Sequence, residues 1–213
     1  MSKDVASILS VAPVIPVLTI ARAAEAAPLA RALVEGGLTA LEVTLRTDAA
    51  LDAISAIARD VPQAIVGAGT VFAAADLRNA RDAGAQFAVS PGLTEKLANE
   101  MSILPLLPGV ATASEIMRGR EFGFTHFKFF PAESSGGVAA LKSFAGPFAD
   151  VRFCPTGGIT AETAPAYLTL KNVLCVGGSW MVPQAMIDAQ DWRGVAKLAR
   201  EAAGLRSGQG GRS

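Results

Sequence analysis

The 213-residue sequence contains few of the residues that bind transition metals or form disulfides, with two cysteines and one histidine. Cys154 and Cys175 form no CxxC motif, and each lies within an apolar, strand-like segment. Such cysteines are typical of reduced core residues in a cytoplasmic protein. We therefore expect a cytoplasmic location, no metal site and no other cofactor.

The sequence also lacks an excess of charge of either sign and any long apolar run. Lys plus Arg and Asp plus Glu both total 19, and no basic cluster stands out. This balance argues against a nucleic-acid or anionic-membrane partner. No apolar run reaches the roughly 20 residues of a membrane span, and the N-terminal MSKDVASIL lacks the pattern of a signal peptide. We expect no membrane association.

Short apolar or β-branched runs recur about every 17–26 residues, and alanine-rich amphipathic stretches separate them. The runs are residues 14–20, 40–45, 64–71, 87–92, 104–110, 126–132, 152–158 and 173–180. Eight strand–helix units favour a closed (β/α)8 TIM-type barrel over an open doubly wound sheet. The first strand–helix junction, TIARAAEA, has none of the glycines of a dinucleotide-binding GxGxxG motif.

No linker-like stretch interrupts these units, so we predict a single α/β domain over residues 1–213. Residues 2–10 have the pattern of a short extra helix before the first strand. The glycine-rich end of the chain, from about 206 to 213, is typical of a flexible tail.

The segment HFKFFPAE, residues 126–133, places one lysine among aromatic residues. In a strand, Phe127 and Phe129 would point to one face and Lys128 and Phe130 to the other. Burial disfavours an ammonium and leaves a neutral amine that can attack a carbonyl carbon. Lys128 is therefore a candidate nucleophile, with Phe130 as a wall of its site. The alternative is an ion-paired or snorkelling lysine at a strand end.

A second strand, ALEVTLR, alternates polar and apolar residues. Glu42 and Arg46 share the face that would point into a barrel, while Leu41, Val43 and Leu45 would meet the helices. Inward-facing charged groups are costly unless they pair with each other or bind a ligand. Glu42 is thus a candidate acid or base and Arg46 a candidate anion-binding residue; a structural ion pair is the alternative.

Thr70 and Ser90 each end a predicted strand at the carboxyl end, where barrel enzymes keep their sites. Either hydroxyl could bind substrate, but either could equally cap the following helix. The sequence leaves both interpretations open.

Two glycine pairs follow the last two predicted strands, at Gly157-Gly158 and Gly177-Gly178. Glycines let backbone N–H groups approach an anion closely, and barrel phosphate sites commonly follow strands seven and eight. The two pairs predict a phosphate-binding site.

Six segments together resemble the 2-keto-3-deoxy-6-phosphogluconate (KDPG) aldolases, some of which also act on 4-hydroxy-2-oxoglutarate (KHG). They are EVTLR (42–46), VGAGTV (66–71), SPGLT (90–94), FKFFPAE (127–133), FCPTGGI (153–159) and GGSW (177–180). They occur in order through nearly the whole chain, and no motif residue departs from the family pattern.

The resemblance implies a (β/α)8 barrel, a homotrimer, and a class I aldolase that cleaves KDPG to pyruvate and glyceraldehyde 3-phosphate. It implies that Lys128 forms a Schiff base with the keto acid and that Glu42 transfers protons. It also implies that Arg46 and Thr70 bind substrate. The remaining predicted substrate-binding residues are Pro91, Phe130, Thr156, Gly157, Gly158, Gly178 and Ser179.

Three other functions remain open at the level of sequence. An aldolase for the galactonate-derived phosphate would differ only in stereochemistry at C4. A phosphosugar isomerase or epimerase would use Glu42 as a base without a covalent step. A phosphometabolite-binding protein would lack turnover, although the unbroken set of Lys128, Glu42 and Arg46 argues against it.

Overall fold

The computed structural model describes residues 4–206. The predicted flexible tail lies outside the described residues except for Arg206, the last residue of a 3-10 turn at Gly204–Arg206. The short helix predicted for residues 2–10 is α1 (Val5–Leu9), and the carboxylate of Asp4 caps it by accepting a hydrogen bond from the N–H of Ser7.

Each predicted apolar run contains a strand, and the fifth run contains two. In the described part of the chain the strands are β1 (Val14–Leu18), β2 (Ala40–Thr44), β3 (Ile65–Gly69), β4 (Phe87–Val89), β5 (Leu106–Leu107), β6 (Gly109–Val110), β7 (His126–Phe129), β8 (Arg152–Pro155) and β9 (Val176–Gly178). Pro108 separates β5 from β6 because proline has no N–H to donate to a ladder.

Amphipathic helices follow most of the strands. After α1 they are α2 (Ala26–Glu35), α3 (Ala50–Asp60), α4 (Ala74–Asp82), α5 (Glu95–Ala98), α6 (Ala113–Glu121), α7 (Gly137–Phe144), α8 (Ala164–Leu168), α9 (Gln184–Asp188) and α10 (Trp192–Ala203). None of the helices within residues 4–206 is long and apolar enough to cross a membrane.

The strands pair in parallel, as βα units require. They form a six-stranded sheet in the order β5-β4-β3-β2-β1-β9 and a three-stranded sheet in the order β6-β7-β8. The predicted α/β class is confirmed, with parallel strands that form a half-barrel. Two isolated parallel bridges continue the pairing beyond β8: Phe153↔Val173 connects β8 with the segment before β9, and Thr156↔Gly177 connects the residue after β8 with β9.

Alternate residues of each strand enter two different cores. One face packs against the helices through residues such as Val43 and Phe127. The other face forms a smaller cluster that includes Ile15, Ala40 and Ile65, near the amino ends of their strands. Ile8 and Leu9 of α1 belong to this second cluster, so α1 covers the amino-terminal end of the strands. The carboxyl ends of the strands are left for a site.

Candidate active site

Lys128 lies in the middle of β7 and is 5% exposed. Its neighbours Phe127 and Phe129 face the helices, where they contact the rings of Phe124, Phe144 and Phe153. Because side chains alternate along a strand, this packing directs Lys128 to the opposite, concave face. The predicted orientation of the lysine is confirmed.

Glu42 lies on β2 and meets Lys128 across the concave face. Lys128 Nζ donates a hydrogen bond to Glu42 Oε1 at 3.1 Å, and Glu42 is 4% exposed. The two residues come from different sheets, so the contact links β2 and β7 face to face. A buried pair of this kind costs desolvation free energy that its mutual attraction only partly offsets, so stability alone is a weak reason for it.

Gly69, at the end of β3, makes room for the Glu42 carboxylate. A Cβ atom at this position would overlap Glu42 Oε1 and lie 2.8 Å from Glu42 Cδ. Any residue larger than glycine would therefore displace the carboxylate from its place beside Lys128.

Arg46 and Thr70 lie together at the carboxyl ends of β2 and β3. Arg46 is exposed, and its Nε donates a hydrogen bond to Thr70 Oγ1 at 3.2 Å. Thr70 has a φ of 64°, a left-handed conformation that is uncommon for a β-branched residue and costs roughly 1–3 kcal/mol. Such strain is found most often at functional positions. Thr70 does not cap the next helix, whose N-cap residue is Ala73.

A cavity of about 150 Å³ opens above Lys128. Eight of the predicted site residues line it: Arg46, Lys128, Phe130, Thr156, Gly157, Gly158, Gly178 and Ser179. Lys128 Nζ lies 5.1 Å from the centroid of the Phe130 ring, within the range of a cation–π contact. Phe130 therefore lies beside Lys128 in the cavity lining, and its role as a wall against substrate stays a prediction.

The glycine pair after β8 forms a turn that only glycine adopts easily. Gly157 and Gly158 have φ values of 103° and 78°. The backbone N–H groups of both glycines belong to a turn that lines the cavity. Two such donors beside a cavity are suited to an anion.

The other three predicted residues lie outside the cavity lining. Glu42 accepts a hydrogen bond from Lys128, and Thr70 accepts one from Arg46, so each contacts a residue that lines the cavity. Pro91 is half-buried, and its carbonyl packs so closely on Gly109 that a Cβ there would overlap it. The nearby Ser90 hydroxyl donates to the Gly92 carbonyl at 2.7 Å. A contact between Pro91 and substrate stays a prediction.

The lining also includes Gly177, from the second predicted glycine pair, and two residues that were not predicted, Val17 and Ile159. Val17 is the Cα partner of Glu42 in the parallel register, so the two side chains share a face. Its apolar side chain has no chemical signature, and only the register could have identified it. Val17 and Ser179 also line an adjoining cavity of about 320 Å³.

The lone histidine, His126, is the first residue of β7 and so lies at the amino end of the strand, away from the predicted site. Burial lowers the pKa of His126, and its Nδ1 contacts the hydroxyl of Thr125 at 3.0 Å. Within residues 4–206, no group of three or more His, Cys, Asp or Glu side chains is close enough to bind a metal ion.

A buried lysine–glutamate pair beneath a cavity is suited to covalent catalysis on a carbonyl compound. The family model described as KDPG and KHG aldolase matches residues 5–198. The chain belongs to this family.

Relatives of known sequence and structure agree with this assignment. The KHG/KDPG aldolase of Escherichia coli K12 is 56% identical over 92% of this chain and 93% of its own. The crystal structure of the KDPG aldolase of Zymomonas mobilis is 52% identical, with a TM-score of 0.91 over 95% of this chain and 98% of that one.

The crystal structure of a third relative contains a covalent reaction intermediate. The KDPG aldolase of Legionella pneumophila is 42% identical, with a TM-score of 0.93 over 95% of this chain and 100% of that one. Its crystal structure contains pyruvate captured at low pH as a covalent carbinolamine intermediate.

Proposed function

We propose that this protein is a class I aldolase that cleaves KDPG reversibly to pyruvate and glyceraldehyde 3-phosphate. The observation that carries the proposal is the buried contact of 3.1 Å between Lys128 Nζ and Glu42 Oε1 at the cavity floor. The pair supplies a nucleophile and a proton acceptor within hydrogen-bond distance of each other, as covalent catalysis requires.

The lysine is activated within this pair. Transfer of a proton from Lys128 Nζ to Glu42 would leave a neutral amine and a neutral carboxyl, which removes two buried charges. The amine then adds to the C2 carbonyl of the keto acid to give a carbinolamine. Glu42 returns the proton it took from Lys128 to the carbinolamine hydroxyl, which leaves as water; this gives a protonated imine and restores the Glu42 carboxylate. The carbinolamine captured in the Legionella relative is the same class of intermediate.

The protonated imine is the electron sink for bond cleavage. Glu42, as the carboxylate, removes the proton of the C4 hydroxyl; the C3–C4 bond breaks, and its electrons move to the imine nitrogen to form an enamine. Glyceraldehyde 3-phosphate leaves with C4 as its aldehyde carbon. Glu42 returns the proton to C3, and hydrolysis of the resulting imine releases pyruvate and Lys128.

The two ends of the substrate are anionic, and the cavity offers a different group to each. The exposed guanidinium of Arg46 suits the keto-acid carboxylate, because its planar fork matches two oxygens. The N–H groups of Gly157 and Gly158 and the hydroxyl of Ser179 suit the phosphate.

KHG is a second candidate substrate, favoured by the name of the Escherichia coli relative. Cleavage of KHG yields pyruvate and glyoxylate, so the chemistry at Lys128 and Glu42 is the same. This substrate has no phosphate, and it would leave the glycine turn unused.

We also propose that the strands close into a single eight-stranded barrel. Strands β5 and β6 are consecutive segments separated by Pro108, whose carbonyl still accepts from the N–H of Lys128 at 2.9 Å. At the other edge, the bridge between Thr156 and Gly177 connects β8 with β9. Both junctions between the sheets are therefore spanned by parallel contacts.

The remaining proposals concern the form of the protein in the cell. One core that runs from Ala12 to Ala202 supports a single domain. The apolar side chains of Phe72 and Met117, 66% and 58% exposed, supply surface that contact in a homotrimer would cover. Light scattering would test for a mass three times that of the chain. The two buried cysteines, which form no disulfide, fit a cytoplasmic location.

Pyruvate release from three substrates tests the proposed activity. We expect efficient release from KDPG, slower release from KHG, and the least from the galactonate-derived stereoisomer, measured by coupling pyruvate to NADH oxidation. Preference for the galactonate-derived phosphate would reverse the assigned C4 stereochemistry. Interconversion of phosphosugars without pyruvate release would instead identify an isomerase or epimerase.

Substitutions at the two ends of the cavity should separate the two anion sites. We expect Ser179→Ala to raise KM for KDPG but not for KHG, because only KDPG has a phosphate. Arg46→Ala should raise KM for both, by about tenfold or more, because both contain the keto-acid carboxylate. Steady-state kinetics of the two variants on both substrates measures this. An equal effect of Ser179→Ala on the two substrates would contradict the assigned position of the phosphate.

A further inference from the structure

The single tyrosine of the sequence has no part in the chemistry described so far. Tyr167 lies on α8, which follows the glycine turn, and is 1% exposed. Its ring packs in the main core, and its hydroxyl donates a hydrogen bond of 2.6 Å to Glu133 Oε1. Glu133 is the last residue of the HFKFFPAE segment that contains Lys128.

Glu133 also contacts the glycine turn after β8, through both its backbone and its side chain. Its N–H donates to the carbonyl of Gly157 at 3.1 Å, and the preceding Ala132 N–H donates to the carbonyl of Thr156 at 2.8 Å. Its Cβ and Cγ lie so close to Gly158 that a Cβ there would approach them to 2.9 and 2.8 Å. The Glu133 side chain thus fills the space beside Gly158, in the turn that lines the cavity.

The hydroxyl of Tyr167 is enclosed on its other side by the start of α7. A Cβ at Gly137 would lie 2.9 Å from the Tyr167 hydroxyl oxygen. The hydrogen bond between Tyr167 and Glu133 joins α8 to the connection after β7. The backbone of Glu133 joins that connection to the glycine turn after β8.

A carboxylate next to an anion-binding turn would repel the anion, so Glu133 needs a reason other than contact with substrate. The bond to Tyr167 supplies one, because it holds Oε1 toward α8. Burial and the neighbouring Glu133 raise the pKa of Tyr167 well above its usual value. The hydroxyl consequently stays protonated and remains a donor over the working range of pH.

We propose that Tyr167 and Glu133 are positioning residues that hold the Gly157–Gly158 turn in the conformation that binds the phosphate of the substrate. The inference rests on the proposed function, because it needs a phosphorylated substrate. Neither residue touches the reacting carbons. Their loss should therefore weaken phosphate binding and leave the chemistry at Lys128 intact.

Three variants test the pair. Tyr167→Phe removes the donor and keeps the ring in the core, and Glu133→Ala removes the acceptor from an exposed residue. Glu133→Gln keeps an acceptor oxygen without the charge. We expect the first two to raise KM for KDPG by about tenfold with little change in kcat, since a hydrogen bond to a charged group is lost. Glu133→Gln should restore a KM close to that of the unmodified protein.

Pyruvate is the internal reference, because it binds Lys128 but has no phosphate. The pyruvate concentration for half-maximal borohydride trapping should be the same in all variants, whereas a merely structural role would shift it together with KM for KDPG. The double variant Tyr167→Phe/Glu133→Ala should lose no more than either single variant, because both remove the same bond.

The outcomes separate this inference from the proposed function. If the unmodified protein does not cleave KDPG, the proposed function fails. If it does, and KM for KDPG is unchanged in Tyr167→Phe and Glu133→Ala, or rises only in step with the pyruvate value, the positioning role alone fails. If Tyr167→Phe does not fold, the exposed Glu133 gives the same comparison through its alanine and glutamine variants.

Discussion

Borohydride added together with pyruvate should fix one pyruvate-derived adduct per chain, and peptide mapping should locate it on Lys128. The reason is the environment of the amine. Lys128 is 5% exposed and has a carboxylate acceptor 3.1 Å from Nζ. Lys142 and Lys171 are exposed on the surface and lie outside the lining of the cavity. Mass spectrometry of the reduced protein measures both the number and the position of adducts.

Substitution of Lys128 should abolish trapping and turnover together. Loss of a covalent nucleophile lowers turnover on the order of 10⁴–10⁶-fold. Lys128→Ala also leaves the Glu42 carboxylate buried and unpaired, which costs about 3–5 kcal/mol of stability. Lys128→Arg is the sharper variant, because it keeps a positive charge beside Glu42 but has no amine that forms an imine.

Lys142→Ala is the matched control and should trap and turn over like the unmodified protein. An adduct on Lys142 or Lys171, or no adduct while the enzyme is turning over, would contradict the covalent mechanism. The isomerase interpretation would then gain support.

Local sequence patterns predicted the direction in which Lys128 points, because alternation along a strand is a local property. Phe127 and Phe129 on one face left Lys128 on the other, and their burial among the helices confirms it. The contact with Glu42 is different, because 86 residues separate the two in sequence. No periodicity reports such a distance, and the prediction depended on both residues facing one interior and on the resemblance.

Thr70 and Gly69 show what the sequence could not decide. A threonine at a strand end is equally suited to capping and to binding, and only the structure assigns its hydroxyl to Arg46. The close approach of Gly69 to Glu42 depends on two strands in register, which composition does not reveal. Pro108 is likewise evident in the sequence, but the sequence does not show that it divides the fifth predicted strand. The division appears in the pairing, because β5 pairs with β4 and β6 pairs with β7.

Tyr167 and Glu133 were also missed, since neither has a distinctive local setting. Glu133 stands at the end of the segment that contains Lys128, and Tyr167 lies in an ordinary amphipathic helix. Their relation emerges only when α8 packs back beside the connection after β7.

Glu42→Gln should lower kcat for KDPG cleavage by roughly 10²–10⁴-fold, the usual contribution of general acid–base catalysis. Glutamine has nearly the same shape and retains an oxygen that can accept from Lys128 Nζ, but it cannot take a proton from the C4 hydroxyl or return one to C3. Exchange of the pyruvate methyl protons with deuterium, followed by NMR, isolates the second of these steps and should slow by a similar factor. Pyruvate trapping on Lys128 should persist in part.

Glu25→Gln provides the matched control for this substitution. Glu25 is also a buried glutamate, 6% exposed, paired with the cation of Arg22 and absent from the lining of the cavity above Lys128. It should affect stability without slowing proton exchange. Gly69→Ala should imitate Glu42→Gln with the glutamate still present, because the added methyl group would displace the carboxylate. If Glu42→Gln lowers only the melting temperature and leaves kcat and proton exchange intact, Glu42 is a structural partner of Lys128, and the proton must travel by another route.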